Sequence, residues 1–182
     1  MLMAAEETIH QAAAPWLTPE AIATASRILG SHQQAFGLPL IAAAGTTSTR
    51  CTAGVDAAAP LLAQELFAAP VVVLAHDGRG LDQGDGPRLI YANHPALSLW
   101  QRPWAEMVGM PSKLTAEPAE RSSRQNALAA ARQHSAISGY SGIRIDRHGR
   151  RFQIRGARLW TLRDAAGEPC GQAACFSDWW WL

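Results

Sequence analysis

The apolar positions of the chain recur at two different intervals, and the changes from one to the other mark its elements. After Thr18, Ile22, Ala25, Leu29 and Phe36 fall roughly on one helical face until Gly37 and Pro39 end the pattern. Thr18-Pro19-Glu20 supplies a capping hydroxyl, a proline at the first helical position and an acid near the positive helix end. That face packs on the rest of the domain or on a second copy of itself. Residues 1–17 are alanine-rich with no clear period and read as mobile, and residues 41–56 read as a loose linker. Pro60 opens a further short helix carrying Leu61, Leu62, Leu66 and Phe67, which Pro70 stops.

Strand patterns follow. Val71–Ala75 opens on three unbroken valines, which predicts a strand buried on both faces or central in its sheet. His76 to Pro87 holds four glycines and the aspartates Asp77, Asp82 and Asp85. No Gly-Lys-Ser/Thr follows, and the aspartates lack calcium-loop spacing, so the stretch reads as an extended hairpin loop. Leu89-Ile90-Tyr91 is a second strand. At Asn93 the period becomes helical, with Leu97, Trp100, Trp104 and Met107 as its apolar positions before Gly109 and Pro111. The Asn93 side chain is placed to cap that helix, with Pro95 just inside it.

Glu117-Pro118 opens a helix of strong formers to about His134, with Leu128 and the alanines as a shallow buried stripe. Strand character returns at Gly139. Ile143–Asp146 and Phe152–Ile154 alternate on either side of an Arg147–Arg150 turn, Arg158–Leu162 continues, and Gly171–Ser177 is the last strand. The order is two strands, three helices and three strands. It predicts an α+β fold: a five-stranded antiparallel sheet with short helices on one face, plus an N-terminal helical extension.

The strand running into Asn93, then Ala96, the Leu97/Trp100 pair and a short helix closing on Gly109, resembles the strand-to-helix entry of a PAS domain. APVVVLAHD (Ala69–Asp77), PSKLTAEP (Pro111–Pro118), YSGIRIDRHGRRFQI (Tyr140–Ile154) and GQAACFSDW (Gly171–Trp179) together resemble the MEKHLA family, a PAS-like group. The resemblance runs from about Leu61 to the C-terminus. It implies a PAS-like MEKHLA domain over 61–182, preceded over 1–60 by a helical extension and flexible linker. It implies signal sensing by ligand binding, by regulated self-association, or both, and brings no catalytic motif. In plants such a domain ends homeodomain-leucine zipper transcription factors; this chain has neither basic region nor zipper heptads.

Composition narrows the role. The 182 residues are 48% apolar and 17% charged, with a net charge of +1, which gives no electrostatic case for nucleic acid. Met1–His10 has no apolar signal core, and Ala68–Ala75 is too short to span a bilayer, so a cytoplasmic protein is expected, without membrane contact. Cys51, Cys170 and Cys175 are odd in number and lack metal-ligand spacing, which reads as three reduced thiols and no metal site.

A curved sheet covered by short helices leaves a pocket between its layers. The expected wall residues are Val73, Asn93, Leu97, Trp100, Met107, Tyr140, Phe152 and Trp160; the alternative is that they simply fill the core. No cofactor is assigned. Covalent flavin chemistry needs a cysteine between Asn93 and His134, and there is none. Haem needs an axial ligand, and His134, at a helix end, is the only histidine on the long helix. His94 reads as solvent-facing. No Gly-x-Ser-x-Gly context surrounds Ser112, Ser122 or Ser123, and Glu117 and Glu120 read as helix-start charges, so no enzyme is expected.

Alternation sends Arg144, Arg151 and Arg155 to the face opposite Ile143, Ile145, Phe152 and Ile154. With Arg147, Arg150 and Arg158 they form a solvated face, an anion or acidic-partner site, or, least in keeping with the aromatics, a nucleic-acid surface. Trp179, Trp180 and Trp181 form either a docking site or a segment folded back along the N-terminal helix or across a dimer. The resulting expectation is a non-enzymatic sensor that binds a small molecule and signals as a homodimer. The alternative is a ligand-free interaction module using Ile22, Leu29 and Phe36 with the tryptophan triplet.

Overall fold

A computed structural model of the chain describes residues 14–42, 55–80 and 83–182. The segments expected to be mobile or linking lie outside these over 1–13 and 43–54, as do Cys51 and Asp82. Residues 14–17 are ordered, contrary to expectation, because Pro15–Leu17 forms a 3-10 turn that stacks Trp16 on Phe67, with ring centres 3.7 Å apart.

Helix α1 (Pro19–Phe36) starts where its cap predicts, with the Thr18 hydroxyl accepting from the Ala21 N–H, and ends at Gly37 with φ of 69°. Helix α2 (Val55–Ala68) begins upstream of Pro60 rather than at it. The missing proline N–H removes one bond, but the helix still docks its Leu66 and Phe67 in the core. Then come β1 (Val72–Asp77), β2 (Leu89–Ala92), α3 (His94–Trp100) and α4 (Trp104–Met107). Two 3-10 turns lead to α5 (Arg121–His134), followed by β3 (Ala136–Ile145), β4 (Arg151–Arg163), β5 (Pro169–Phe176) and β6 (Asp178–Trp181).

All strand pairs are antiparallel, and the sheet runs β2-β1-β5-β4-β3. β6 adds no width. Arg158 pairs with Cys175 and Arg155 with Asp178, so one register continues across Ser177 and β6 prolongs β5 along β4. The sheet is five strands wide, as the pattern predicts, but its last strand reaches Trp181 instead of stopping at Ser177. β4 has 13 residues against the 8 of β5, and its spare length gives the final residues a ladder to join.

Helices cover both faces. The front core packs Val72, Leu99, Trp100, Phe152, Leu159 and Phe176 beneath α3 to α5. The back core packs Val73, Tyr91, Trp160, Leu162 and Ala173 against Ile28 of α1 and Leu66 of α2. Val72 and Val73, each at most 2% exposed, face opposite cores, which is the two-sided burial their β-branched run implies. The α1 stripe, including Ile22, Leu29 and Phe36, packs on this chain's own sheet.

Candidate functional site

Between the front of the sheet and α5 lies a cavity of about 50 Å³. Its apolar wall is Leu74, Leu89, Ile154, Leu159 and Phe176, closed by Trp100 and by Leu128 from α5. Set into this wall are His76, Arg124, Tyr140, Arg144 and Gln172. Each reaches it by periodicity. His76 continues the Val72-Leu74 alternation, Gln172 precedes Ala174 and Phe176, and Arg124 lies one turn before Leu128.

Arg144 is the main departure from expectation. It pairs with Phe152 across the β3–β4 ladder and therefore shares its face. Between the pairs Ile137–Leu159 and Tyr140–Ala157, β3 advances three residues against two in β4, and this extra residue moves the inward set of β3 to Tyr140, Gly142 and Arg144. The second shift, before Gly142–Ile154, puts its extra residue in β4. Arg144 is thus turned in and only 5% exposed, while Ile143 and Ile145 are half-buried. Its Nη1 donates to the Ile143 carbonyl at 2.7 Å and its Nη2 to the Tyr140 hydroxyl at 2.9 Å.

The remaining polar groups have defined states. The His76 Nδ1 lies 2.8 Å from the Asp77 carbonyl, which only accepts, so Nδ1 carries the proton. Burial pushes the His76 pKa down to about 4, leaving a neutral ring whose buried Nε2 lone pair has no partner. The Gln172 Nε2 donates to the Leu128 carbonyl at 2.8 Å, which orients the amide and leaves a buried, unpartnered Oε1. Burial, then the neighbouring Arg144 charge, lowers the Arg124 pKa to about 10, so the group is still cationic at neutral pH. Among the described residues neither Arg124 nor Arg144 has a carboxylate partner.

Of the expected wall residues, Trp100 and Tyr140 line the cavity. Leu97, Met107 and Phe152 belong to the front core without reaching the cavity. Val73 and Trp160 lie on the back, because strand alternation turns them toward α1 and α2. Asn93 is committed to the backbone. Its Oδ1 accepts from the Val73 N–H at 2.9 Å and the Ala96 N–H at 3.3 Å, and its Nδ2 donates to the Val71 carbonyl at 2.6 Å. It caps α3, as predicted, and also joins that helix to β1.

The hairpin arginines do not form an open anion site. Arg147, Arg150, Arg151 and Arg155 pair with Glu106, Asp146, Glu117 and Asp178 at 2.6–3.5 Å. Arg158 lies over the Phe36 ring. The tryptophan triplet folds neither along α1 nor away from the sheet. Trp179 and Trp181 extend the Phe152 side of the front core, with Trp181 5.5 Å from the Phe152 ring, and all three are 36–43% exposed.

The MEKHLA domain pattern matches residues 22–181. The chain belongs to the MEKHLA domain family. No curated protein matches the sequence. Similar solved structures include the PAS domain of a protein from Colwellia psychrerythraea, with a TM-score of 0.52 and 13% identity, covering 62% of this chain and 89% of that one. A light-oxygen-voltage domain studied with a flavin analogue gives 0.51 at 15% identity, covering 67% and 84%. An RNA-binding light-oxygen-voltage receptor gives 0.53 at 22% identity, covering 71% and 35%. At these low identities the structural similarity shows the fold alone, and that fold is PAS-like.

The cavity of this MEKHLA domain does not fit a flavin or a haem. Its 50 Å³ is far below the roughly 300–1,000 Å³ of sites for larger ligands. Cys175 is buried on the back face, Cys170 starts β5, and His134 is exposed at the end of α5, outside the cavity.

Proposed function

We propose that this MEKHLA domain is a non-enzymatic sensory module that binds a small molecule in the front cavity and signals through self-association. The observation that carries the reading is the set of unsatisfied polar groups in an apolar pocket, His76 Nε2 and Gln172 Oε1 above all. Each buried, unpaired group costs about 1–3 kcal/mol, and a ligand that pairs them recovers that cost. Helix α5 is the element placed to respond. Gln172 holds its Leu128 carbonyl and the Thr161 hydroxyl lies 3.4 Å from its Ala131 carbonyl, so both of its inward bonds end on strands lining the cavity. A ligand with different affinities for two α5 positions shifts their populations. The lining includes no aspartate, glutamate, serine or cysteine. No helix among the described residues is long and apolar enough to cross a membrane, which accords with the proposed cytoplasmic location.

The test is native mass spectrometry of the purified chain against its denatured mass. Extra mass that is lost on unfolding, and lost also in an Ala174→Leu variant that fills the cavity, supports the reading. Extra mass retained in that folded variant places the ligand elsewhere.

A second reading is an interaction module with an unliganded core. It is favoured by β6, whose exposed Trp179, Trp180 and Trp181 and following Leu182 lie on a strand paired on one side only among the described residues.

A further inference from the structure

We infer that the cavity takes a short hydroxycarboxylate, its carboxylate on the Arg124 and Arg144 guanidinium groups and its hydroxyl donating its one proton to Gln172 Oε1, beside His76 Nε2. This rests on the proposal that the cavity binds a ligand, and adds the ligand's chemistry.

Charge decides the first half. Two guanidinium groups line one small pocket, Arg144 almost wholly buried, with no carboxylate among the described residues to balance them. A buried charge without its counter-charge is costly, and elsewhere in this chain arginines find acids readily, four of them on the same hairpin. The inner pair therefore lacks an anion that something outside the chain must bring. Guanidinium recognises a carboxylate through paired N–H donors. The Tyr140 hydroxyl accepts from Arg144 and keeps its own proton, adding a third donor on the same side.

Hydrogen-bond polarity decides the second half. The unpartnered atoms of His76 and Gln172 are both acceptors, so the ligand must present a donor to them. A hydroxyl has one proton and gives it to Gln172 Oε1 without adding positive charge beside two arginines, which an ammonium group would do. Size sets the rest: 50 Å³ is room for about three or four water-sized groups, so the acid has a short chain.

The experiment is titration calorimetry of the full chain with glycolate and lactate, compared with acetate, glycine, ethanol and inorganic phosphate. The expected result is one site for a hydroxy acid, roughly tenfold weaker binding of acetate, and no binding of ethanol. Arg144→Met should weaken hydroxy-acid binding roughly tenfold to a hundredfold, and Gln172→Leu should abolish its advantage over acetate. Arg124→Met, on the surface-facing helix, serves the same purpose if Arg144→Met does not fold. Equal binding of ethanol, phosphate binding in place of every carboxylate, or unchanged affinity in a folded arginine variant overturns the inference. If native mass spectrometry shows a non-acidic ligand lost in Ala174→Leu, the hydroxycarboxylate fails while the binding cavity stands. If no bound mass appears and no acid binds, both fail.

Discussion

The Arg144 guanidinium donates to the Tyr140 hydroxyl across Gly142, whose missing side chain leaves the space in which they meet. A Cβ at Gly142 would lie 2.7 Å from the Tyr140 hydroxyl and 3.2 Å from Arg144 Nη1. Both contacts are far ends of flexible side chains, so the fold can absorb the methyl but the pair cannot keep its geometry. Gly142→Ala is expected to change stability by no more than about 1 kcal/mol. It should also weaken acid binding roughly tenfold. Thermal melts and calorimetry on one preparation check both; unchanged binding would show that the pair does not organise the site.

Asn93 should prove structural. Asn93→Ala leaves the buried Val73 N–H and Val71 carbonyl unpaired and uncaps α3, an expected loss of roughly 2–4 kcal/mol in urea unfolding. Asn93→Asp keeps the acceptor but turns a carboxylate toward backbone carbonyls, and should be no better. A loss under about 1 kcal/mol in the alanine variant would contradict this account.

His76 gives the stability a defined acid limb. Its pKa is about 4 in the folded chain and near 6.5 when unfolded, so between these values the unfolded state binds more protons. Stability from this group is complete above about pH 6.5 and falls as pH drops toward 4, by about 3 kcal/mol in total. The groups facing the ring accord with this sign: burial, Arg124 and Arg132 oppose protonation, against weaker support from the Asp77 backbone and carboxylate. Unfolding measured from pH 7 to pH 4 should show a shallower decline in His76→Gln than in the parent.

The exposed β6 edge carries the self-association proposal. Trp180 is 43% exposed and lies beneath the Arg155 guanidinium, so Trp180→Glu should leave the melting temperature within a few degrees. Light scattering should then report a smaller mass than the parent if β6 joins two copies, and an equal mass would exclude that edge. Deleting residues 1–40 tests something else. It strips Ile28 from over Trp160, each with 0% exposure, and is expected to abolish cooperative unfolding rather than release a folded monomer.

Much of this architecture is legible in the sequence because its signals are local. Thr18 and Asn93 cap where a short polar side chain precedes a proline, and the valines of β1 announce burial on both faces. The cavity is less legible, for reasons that lie in register. One extra residue in β3, between Ile137 and Tyr140, reverses the alternation that would put Arg144 outside, and Gly139, with φ of 83°, is the residue type that signals it. Val73 and Trp160 are apolar enough for either core, and only the helices above them decide which. Arg124, His76 and Gln172 did carry a readable signal, since each continues a buried stripe, but polar residues in such stripes are easily taken for its edge. The tryptophan strand was hidden because its partner is the spare length of β4, a long-range match.

The central claim is that the front cavity receives a small hydroxy acid, and the most direct test is an amide NMR titration of the full chain with glycolate. The account predicts saturable shifts concentrated at Tyr140 to Arg144, His76, Gln172 and α5, and their loss in Ala174→Leu. Saturable shifts elsewhere, or none at these positions, would contradict it.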